Sequence, residues 1–242
     1  MPVVARVREQ SELQRALQRA RSGVGGLVRV VGEPGIGKTT LVRALFELAR
    51  SQDIRAGWAR PWRGSPPFAL VVDVLRSCHP SAAELVTALG KYASGLGTLF
   101  PELGGDSEGD RSKQSLFAAL AGWLRSCEPT LLVLDDAHEA DLASLECLTW
   151  LAPSLTGSRV LIVVSERSVG RDASPESEAY LSRWLRVSET LNLGPLDTRA
   201  VGQMLEWHSG NLSSSELHEK VTALTRGNPL FVEGVAHALE AG

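Results

Sequence analysis

A short stretch near the start of the chain has the residue types and spacing of a phosphate-binding loop. Residues 32–39 read Gly-Glu-Pro-Gly-Ile-Gly-Lys-Thr and match G-x-x-x-x-G-K-[ST] throughout. Glycines let the backbone approach phosphates closely, and the amides of the loop and of a following helix direct partial positive charge at an anion. Lys38 would add a charge beside the β- and γ-phosphates, and the Thr39 hydroxyl is suited to Mg²⁺. We therefore predict nucleotide contacts from Gly32, Glu33, Pro34, Gly35, Ile36, Gly37, Lys38, Thr39 and Thr40.

Two adjacent carboxylates supply the second part of this chemistry. Asp135 and Asp136 follow the apolar run of residues 131–134, which predicts a buried strand. The carboxyl end of such a strand opens into the ligand crevice of a parallel sheet. We predict that Asp135 holds Mg²⁺ and that Asp136 orients or deprotonates the attacking water. Because acid pairs at strand ends also cap helices, the pair is informative mainly together with the loop.

The elements that must position these residues alternate along the chain. Strands are predicted at residues 27–31, 54–60, 130–134, 159–167 and 190–193. Helices are predicted at residues 6–22, 40–49, 68–78, 82–94 and 113–126, after Asp141 and from Ser174. Apolar strands alternating with helices predict an α/β fold with a five-stranded parallel P-loop NTPase sheet flanked by helices.

The pattern changes at Leu196, after which no strand is predicted. Helices are expected at residues 198–208, 214–225 and 229–240. We predict a nucleotide-binding α/β domain over residues 1–195 and a small helical lid subdomain over residues 196–242. The Gly- and acid-rich stretch 101–110 is the candidate for disorder.

Composition argues against several other classes of function. A formal net charge of −3 gives no electrostatic reason for this segment to bind nucleic acid directly, and no apolar run approaches the length needed to span a membrane. The histidines lack the spacing of metal ligands. Cys78, Cys127 and Cys147 lie in apolar stretches, as reduced thiols do, and no signal region precedes them. These features predict a cytoplasmic location.

The motifs together resemble the ATPase domain of the STAND class, the signal-transduction ATPases with numerous domains. The likeness is closest to the AAA-like domain at the N-terminus of large ATP-binding LuxR-type bacterial transcriptional regulators, and it covers nearly the whole chain. It rests on several separate blocks, among them residues 6–9 (Arg-Val-Arg-Glu), 32–39, 134–141 (Leu-Asp-Asp-Ala-His-Glu-Ala-Asp) and 225–231 (Thr-Arg-Gly-Asn-Pro-Leu-Phe). The chain departs from the family at Val7, where a glycine is usual, and at Glu139, where a tryptophan is usual.

The resemblance implies roles that spacing alone does not assign. Val7 and Arg8 would lie near the adenine, and Pro229 would approach the base and report nucleotide state to the lid. Arg167 is similar to a strand-end arginine that senses the γ-phosphate. ATP or ADP and Mg²⁺ would be the cofactors. Because no helix-turn-helix signature is present, we expect a fragment of a larger regulator whose sensor and DNA-binding domains are its partners.

The leading hypothesis is an ATP-binding and slowly hydrolysing switch module, with an ATPase activity that serves regulation. One alternative is a small-molecule phosphotransferase, which needs an acceptor pocket with its own acid or arginine clamp. Another is a ring-forming AAA+ ATPase, which predicts an arginine finger and nucleotide-dependent self-association. An acceptor screen would reveal the first alternative, and size measurements with and without ATP·Mg²⁺ would reveal the second.

Overall fold

A five-stranded parallel sheet is the centre of the fold, as the sequence predicts. The computed structural model describes residues 5–62, 64–79, 81–97, 99–100, 112–126, 129–167, 175–210 and 213–241. The stretch 101–110, Cys127 and Ser174 lie outside these residues. The strands are β1 (Gly26–Gly32), β2 (Arg55–Ala59), β3 (Thr130–Leu134), β4 (Val160–Glu166) and β5 (Ser188–Leu193).

The order of the strands decides which loops meet. It runs β2-β3-β4-β1-β5, so that β4 lies between the strand leading into the phosphate loop and the strand leading into the acid pair. Because all neighbours are parallel, the carboxyl ends of the strands share one edge of the sheet. The residues that follow β1, β2, β3 and β4 are therefore brought to one place.

Two apolar cores cover the two faces of the sheet, because side chains alternate between the faces of a strand. One face packs Leu132, Leu134, Ile162 and Val164 against the helices of the β2–β3, β3–β4 and β4–β5 connections. The other face packs Leu131, Val133, Leu161 and Val163 against the helices that precede and follow β1. Every residue of β3 and β4 is buried, which explains the apolar runs at residues 131–134 and 160–164.

The helices of the α/β part follow the predicted positions, with one difference. They are α1 (Val7–Arg21), α2 (Lys38–Ser51), α3 (Ala69–Ser77), α4 (Ala82–Leu89), α5 (Ala93–Leu96), α6 (Lys113–Ser126), α7 (Leu142–Ser154) and α8 (Pro175–Trp184). The single helix predicted at 82–94 is instead broken at Gly90, whose φ of 45° cannot continue an α-helix. A 3₁₀ turn, Gly90–Tyr92, joins the two pieces.

Three further helices end the chain, and they have an apolar cluster of their own. They are α9 (Thr198–Ser209), α10 (Ser215–Thr225) and α11 (Pro229–Ala241), and Val201, Leu205, Val221 and Val232 are buried between them. The division into domains at residues 195 and 196 stays a prediction. Among the described residues, no helix has the length and apolar character required to cross a membrane.

A buried ion pair joins β1 to β4 within the first core. The Arg29 guanidinium donates to the Glu166 carboxylate, and both side chains are almost completely buried. Arg29 also lies 3.4 Å from the Thr190 hydroxyl on β5. Burial raises the pKa of the Glu166 carboxyl, and the nearby Arg29 charge acts in the opposite direction. The pair ties the strand before the phosphate loop to the strand that directly precedes Arg167.

Candidate functional site

The loop between β1 and α2 has the backbone that its glycines permit. Gly35 and Gly37 have φ values of 76° and 95°, in the left-handed region that disfavours side chains. Gly37 is the residue before α2, and the helix begins at Lys38. The first amides of a helix have no acceptor within it, so those of Lys38, Thr39 and Thr40 are available to an anion.

Lys38 lies folded back onto its own loop. Its ammonium donates to the carbonyl oxygens of Gly32 and Glu33, each at 2.9 Å, and the side chain is buried. Burial lowers the pKa of Lys38, while the carboxylate of Asp136 acts in the opposite direction. The ammonium is thus held at the base of the loop by neutral acceptors, which anionic phosphate oxygens would outcompete.

Asp135 is fixed beside Thr39 by several hydrogen bonds. The Thr39 hydroxyl lies 3.0 Å from each carboxylate oxygen of Asp135. The hydroxyl of Ser165, on β4, donates to the same carboxylate at 2.6 Å, and the Asp135 amide donates to Ala59 at the end of β2. The carboxylate itself is buried. The two residues predicted to hold Mg²⁺ are therefore adjacent, although β4 separates their strands.

These two residues fit a magnesium ion that is shared with phosphates. Mg²⁺ prefers oxygen ligands, and in nucleotide sites one or two carboxylates with substrate phosphates and waters suffice. One hydroxyl and one carboxylate meet that description. The part of the chain that the structure describes contains no cluster of three or more His, Cys, Asp or Glu side chains suited to a metal ion.

Asp136 has an unusual backbone that directs its side chain into the site. Its φ of 55° and ψ of 41° are left-handed, a conformation that Asp tolerates better than most residues. Its amide donates to the Ser165 hydroxyl at 2.8 Å. The Asp136 carboxylate pairs with Arg60, the residue directly after β2. Asp136 therefore lies at the cavity with one charged partner already in place.

Arg167 is the first residue after β4 and is partly exposed. Its guanidinium lies 4.0 Å from the carboxylate of Glu139, the acidic residue where the resemblance implies a tryptophan. Arg167 and Arg60 both line the same cavity as Lys38. With Arg6, which also lines the cavity, four cationic side chains surround one place, and this suits a polyanionic ligand.

The cavity, of about 340 Å³, lies between the loop and the C-terminal helices. Of the predicted site residues, it is lined by Pro34, Gly35, Ile36, Gly37, Lys38, Thr39, Thr40, Asp136, Arg167 and Pro229. The C-terminal helices and the connection that leads into them contribute the apolar side chains of Leu196, Met204, Trp207 and Leu230, together with His208 and Glu233. The end of the cavity beside the loop is thus charged, and the end beside the C-terminal helices is more apolar, which suits the phosphates and the base of a nucleotide.

Some predicted residues are not part of the lining. Gly32 and Glu33 contribute through their carbonyls to Lys38, and Asp135 contributes through Thr39. Val7 is 73% exposed and the Arg8 side chain is 89% exposed, and neither lines the cavity. Instead Arg6 is buried there and donates to the Gly194 carbonyl at 2.6 Å. The first turn of α1 directs residues 7 and 8 to solvent, so the geometry gives them no contact with the cavity.

Sequence reasoning missed Arg6, Arg60, Ser165 and the α9 residues of the lining. Two of these carried a usable signal. Ser165 is a hydroxyl within an apolar strand, and Arg60 directly follows a strand whose end faces the same edge as Asp135. No comparable pattern marks Trp207 or Arg6, because their positions depend on how helices pack after folding.

Three solved structures illustrate which known proteins share this fold. Cdc6p from Pyrobaculum aerophilum matches with a TM-score of 0.57 at 16% identity, over 98% of this chain and 62% of that one. AMPPCP-bound DnaA from Aquifex aeolicus matches with a TM-score of 0.55 at 13% identity, over 98% and 61%. A variant of RuvB from Thermotoga maritima matches with a TM-score of 0.52 at 17% identity, over 97% and 61%. At these identities the likeness establishes the fold alone, and this chain spans less than two thirds of each protein's length.

No match was found among curated proteins. The family described as "AAA ATPase domain" matches residues 2–164, which is more than half of the chain. That range contains the phosphate loop, the Thr39–Asp135 pair and Asp136, and it ends within β4. The chain therefore belongs to the AAA ATPase domain family.

Proposed function

We propose that the chain is an ATP- and Mg²⁺-binding, slowly hydrolysing switch module of a bacterial signal-transduction or transcriptional regulator. The observation that carries this proposal is the contact of Thr39 with both carboxylate oxygens of Asp135 at 3.0 Å, beside the loop and beneath a helical lid. A hydroxyl at the start of the helix that follows the loop, with a carboxylate beside it, provides the oxygen ligands typical of a nucleotide-bound magnesium.

Each residue of the charged end has a proposed role. Lys38 would leave its loop carbonyls to contact the β- and γ-phosphates, while the amides of residues 35–40 surround them. Mg²⁺, held by Thr39 and Asp135, would neutralise charge on the phosphates. Asp136 would accept a hydrogen bond from the attacking water, and Arg167 would contact the γ-phosphate. The Arg60–Asp136 ion pair supports slow hydrolysis, because Arg60 already occupies the carboxylate that would have to contact the attacking water.

The apolar end supports a role for the lid in sensing the base. Pro229 and Leu196 face the cavity from the start of α11 and from the connection into α9. A ligand that contacts both walls binds the closed arrangement better than an open one, and only such differential contact can shift a conformational equilibrium. We therefore propose that Pro229 contacts the base, and that the three C-terminal helices change position when nucleotide binds.

The regulatory setting rests on the sequence blocks described above. The DnaA structure that resembles this chain contains AMPPCP, which supports ATP or ADP as the ligand. The resemblance of residues 134–141 and 225–231 to the STAND motifs supports a signal-transduction ATPase within a longer protein, with sensor and DNA-binding domains as partners. The acid pair of Asp135 and Asp136 and the block at residues 225–231 favour the switch over a small-molecule phosphotransferase.

The test is nucleotide binding by the purified chain and by Lys38→Ala, measured calorimetrically with ATP and ADP in Mg²⁺. We expect the substitution to weaken binding roughly ten- to hundredfold, since charge-assisted contacts to phosphate are lost. The matched control is Lys220→Ala, which removes an exposed lysine that pairs only within α10. Equal affinity of the wild-type and Lys38→Ala proteins would overturn the site.

Two further measurements separate the switch from its alternatives. Denaturing the purified protein and identifying any released nucleotide shows which ligand it retains, and retained ADP with slow turnover is the expected result. Light scattering with and without ATP·Mg²⁺ tests the ring-forming ATPase. A closed oligomer that forms only with ATP and hydrolyses it rapidly would contradict the switch.

A further inference from the structure

The carbonyl groups of the phosphate loop are all occupied by donors. Lys38 takes those of Gly32 and Glu33, and the Leu41 amide of α2 takes that of Gly37 at 3.0 Å. The three carbonyls in between, at residues 34–36, accept from donors outside the loop and its helix. Every carbonyl from residue 32 to residue 37 thus has a partner.

The three outside donors come from two different parts of the chain. The Asn228 side-chain amide donates to Pro34 at 3.0 Å, and the Leu230 amide donates to Gly35 at 3.2 Å. Both belong to the start of the lid helix α11. The Arg6 guanidinium donates to Ile36 at 3.3 Å and to Gly194 at 2.6 Å, so it joins the loop to the connection that leads into the lid.

The lid also packs directly onto the loop. A methyl group added at Gly35 would lie 2.8 Å from the Leu230 Cβ and 2.9 Å from the Asn228 side-chain oxygen. These distances are shorter than van der Waals contact. The start of α11 therefore covers the loop at its central glycine, and the hydrogen bonds to residues 34 and 35 exist only while it does so.

Holding the carbonyls has a direct consequence for the amides. In a peptide unit the C=O group and the N–H group of the next residue point in opposite directions. Because the Pro34 carbonyl points to Asn228 and the Ile36 carbonyl points to Arg6, the amides of Gly35 and Gly37 point away from these donors and stay available to an anion. Donors fixed before the ligand arrives need no reorganisation when it binds. The outward hydrogen bonds are thus a means of keeping the loop ready for phosphate.

We propose that Asn228 and Arg6 are positioning residues for the phosphate site, which they order through the carbonyls of Pro34 and Ile36. This inference rests on the proposed nucleotide binding and adds a mechanism to it. Because Asn228 belongs to the lid, docking of the lid onto the loop and binding of phosphate by the loop are thermodynamically coupled. Ligand binding must then strengthen docking by the same factor by which docking strengthens binding.

The test for Asn228 uses Asn228→Ser. Serine keeps a side-chain oxygen that can accept from the Leu230 amide, as Asn228 does at 3.1 Å, so the start of α11 retains its cap. It is too short to donate to Pro34. The matched control is Asn192→Ser on the exposed side of β5. We expect a Kd for ADP about three- to tenfold higher in Asn228→Ser only, as for one lost hydrogen bond.

The test for Arg6 uses Arg6→Lys, which keeps the charge but removes the fork that reaches two carbonyls. Arg15→Lys, at an exposed position of α1, is its control. We expect a similar loss of affinity in Arg6→Lys and none in the control. Thermal unfolding of all variants without nucleotide shows whether any loss merely reflects instability.

Hydrogen exchange without nucleotide provides a readout that a general loss of stability does not reproduce. Asn228→Ser and Arg6→Lys should speed exchange of the loop amides at residues 35–39, and leave the amides of β3 unchanged. Added ADP should slow exchange at residues 226–232 in the wild-type protein. Unchanged loop exchange in both variants, or affinities equal to wild type, would overturn the inference while leaving nucleotide binding intact. A wild-type chain that binds no nucleotide would instead overturn the proposed function.

Discussion

The Thr39 hydroxyl lies 3.0 Å from both carboxylate oxygens of Asp135, across 96 residues of sequence. The Ser165 hydroxyl holds the same carboxylate from β4, the strand that separates the two. Such a contact requires the loop after β1 and the end of β3 to be placed independently and then to meet. It is therefore the most informative place to test the chemistry of the site.

Substitution of this pair should remove the effect of magnesium. In Thr39→Val and in Asp135→Asn, we expect the affinity for ATP to become nearly independent of added Mg²⁺, with a loss of roughly tenfold or more at saturating metal. Titration of nucleotide in Mg²⁺ and in EDTA measures this. Asp53→Asn, at an exposed turn, is the control. Persistence of the full magnesium effect in both variants would exclude the pair as ligands.

Asp136→Asn should separate hydrolysis from binding. The amide keeps the size of the carboxylate but cannot act as a base, and general-base groups typically contribute about 10² to 10⁴ in rate. We expect phosphate release to fall by a factor in that range while the Kd for ATP changes little. The measurement is single-turnover hydrolysis with bound ATP. A variant that hydrolyses at the wild-type rate would remove Asp136 from the mechanism.

The buried ion pair between β1 and β4 should control stability and its pH dependence. Arg29→Met leaves Glu166 buried without its partner, which should cost about 3–5 kcal/mol of unfolding free energy at neutral pH. Adding Glu166→Leu should restore most of that loss, because two apolar side chains then fill the space. Denaturant unfolding of the single and double variants measures both effects.

The sign of the pH effect follows from the Glu166 carboxyl. Its pKa is raised in the folded protein, so its relative stabilisation is complete below the ordinary pKa of 4.5 and is lost as pH rises through the folded value. Removing Arg29 raises that pKa further and extends the loss toward neutral pH. Arg29→Met should therefore regain stability on mild acidification relative to wild type. A parallel decline of both proteins with falling pH would contradict this account.

Trp207 should report occupation of the cavity. The side chain lines the cavity from α9 and is 44% exposed, so a ligand that covers it will change its fluorescence. We expect nucleotide to alter the emission of the wild-type protein, and Trp207→Phe to remove most of that change. Trp150→Phe, which removes a tryptophan distant from the cavity, should leave the change intact. An identical response in Trp207→Phe would show that the ligand does not reach the lid.

The strands and helices were predictable because the spacing of apolar residues along the sequence reflects which faces of each element are buried. Residues 131–134 of β3 and 160–164 of β4 are apolar without interruption, and the glycines at 35 and 37 mark the loop whatever surrounds it. The broken helix at Gly90 was not predicted, because the apolar pattern continues across the break.

The finer contacts of the site could not be predicted in the same way. Family resemblance pointed to Val7 and Arg8, whereas the adjacent Arg6 is the residue buried at the cavity. The direction of a side chain at the first turn of a helix depends on where that helix docks. The contact of Asn228 with Pro34 likewise joins residues 194 apart, and no local pattern encodes that distance.

Gly35 is subject to two separate requirements. Its φ of 76° favours a residue without a Cβ, and the space where a Cβ would lie is filled by Leu230 and Asn228. Relaxing one requirement does not relax the other. In related chains, we expect the size of the residues at positions 228 and 230 to covary with the conformation of the loop, so that the lid and the loop evolve as one unit.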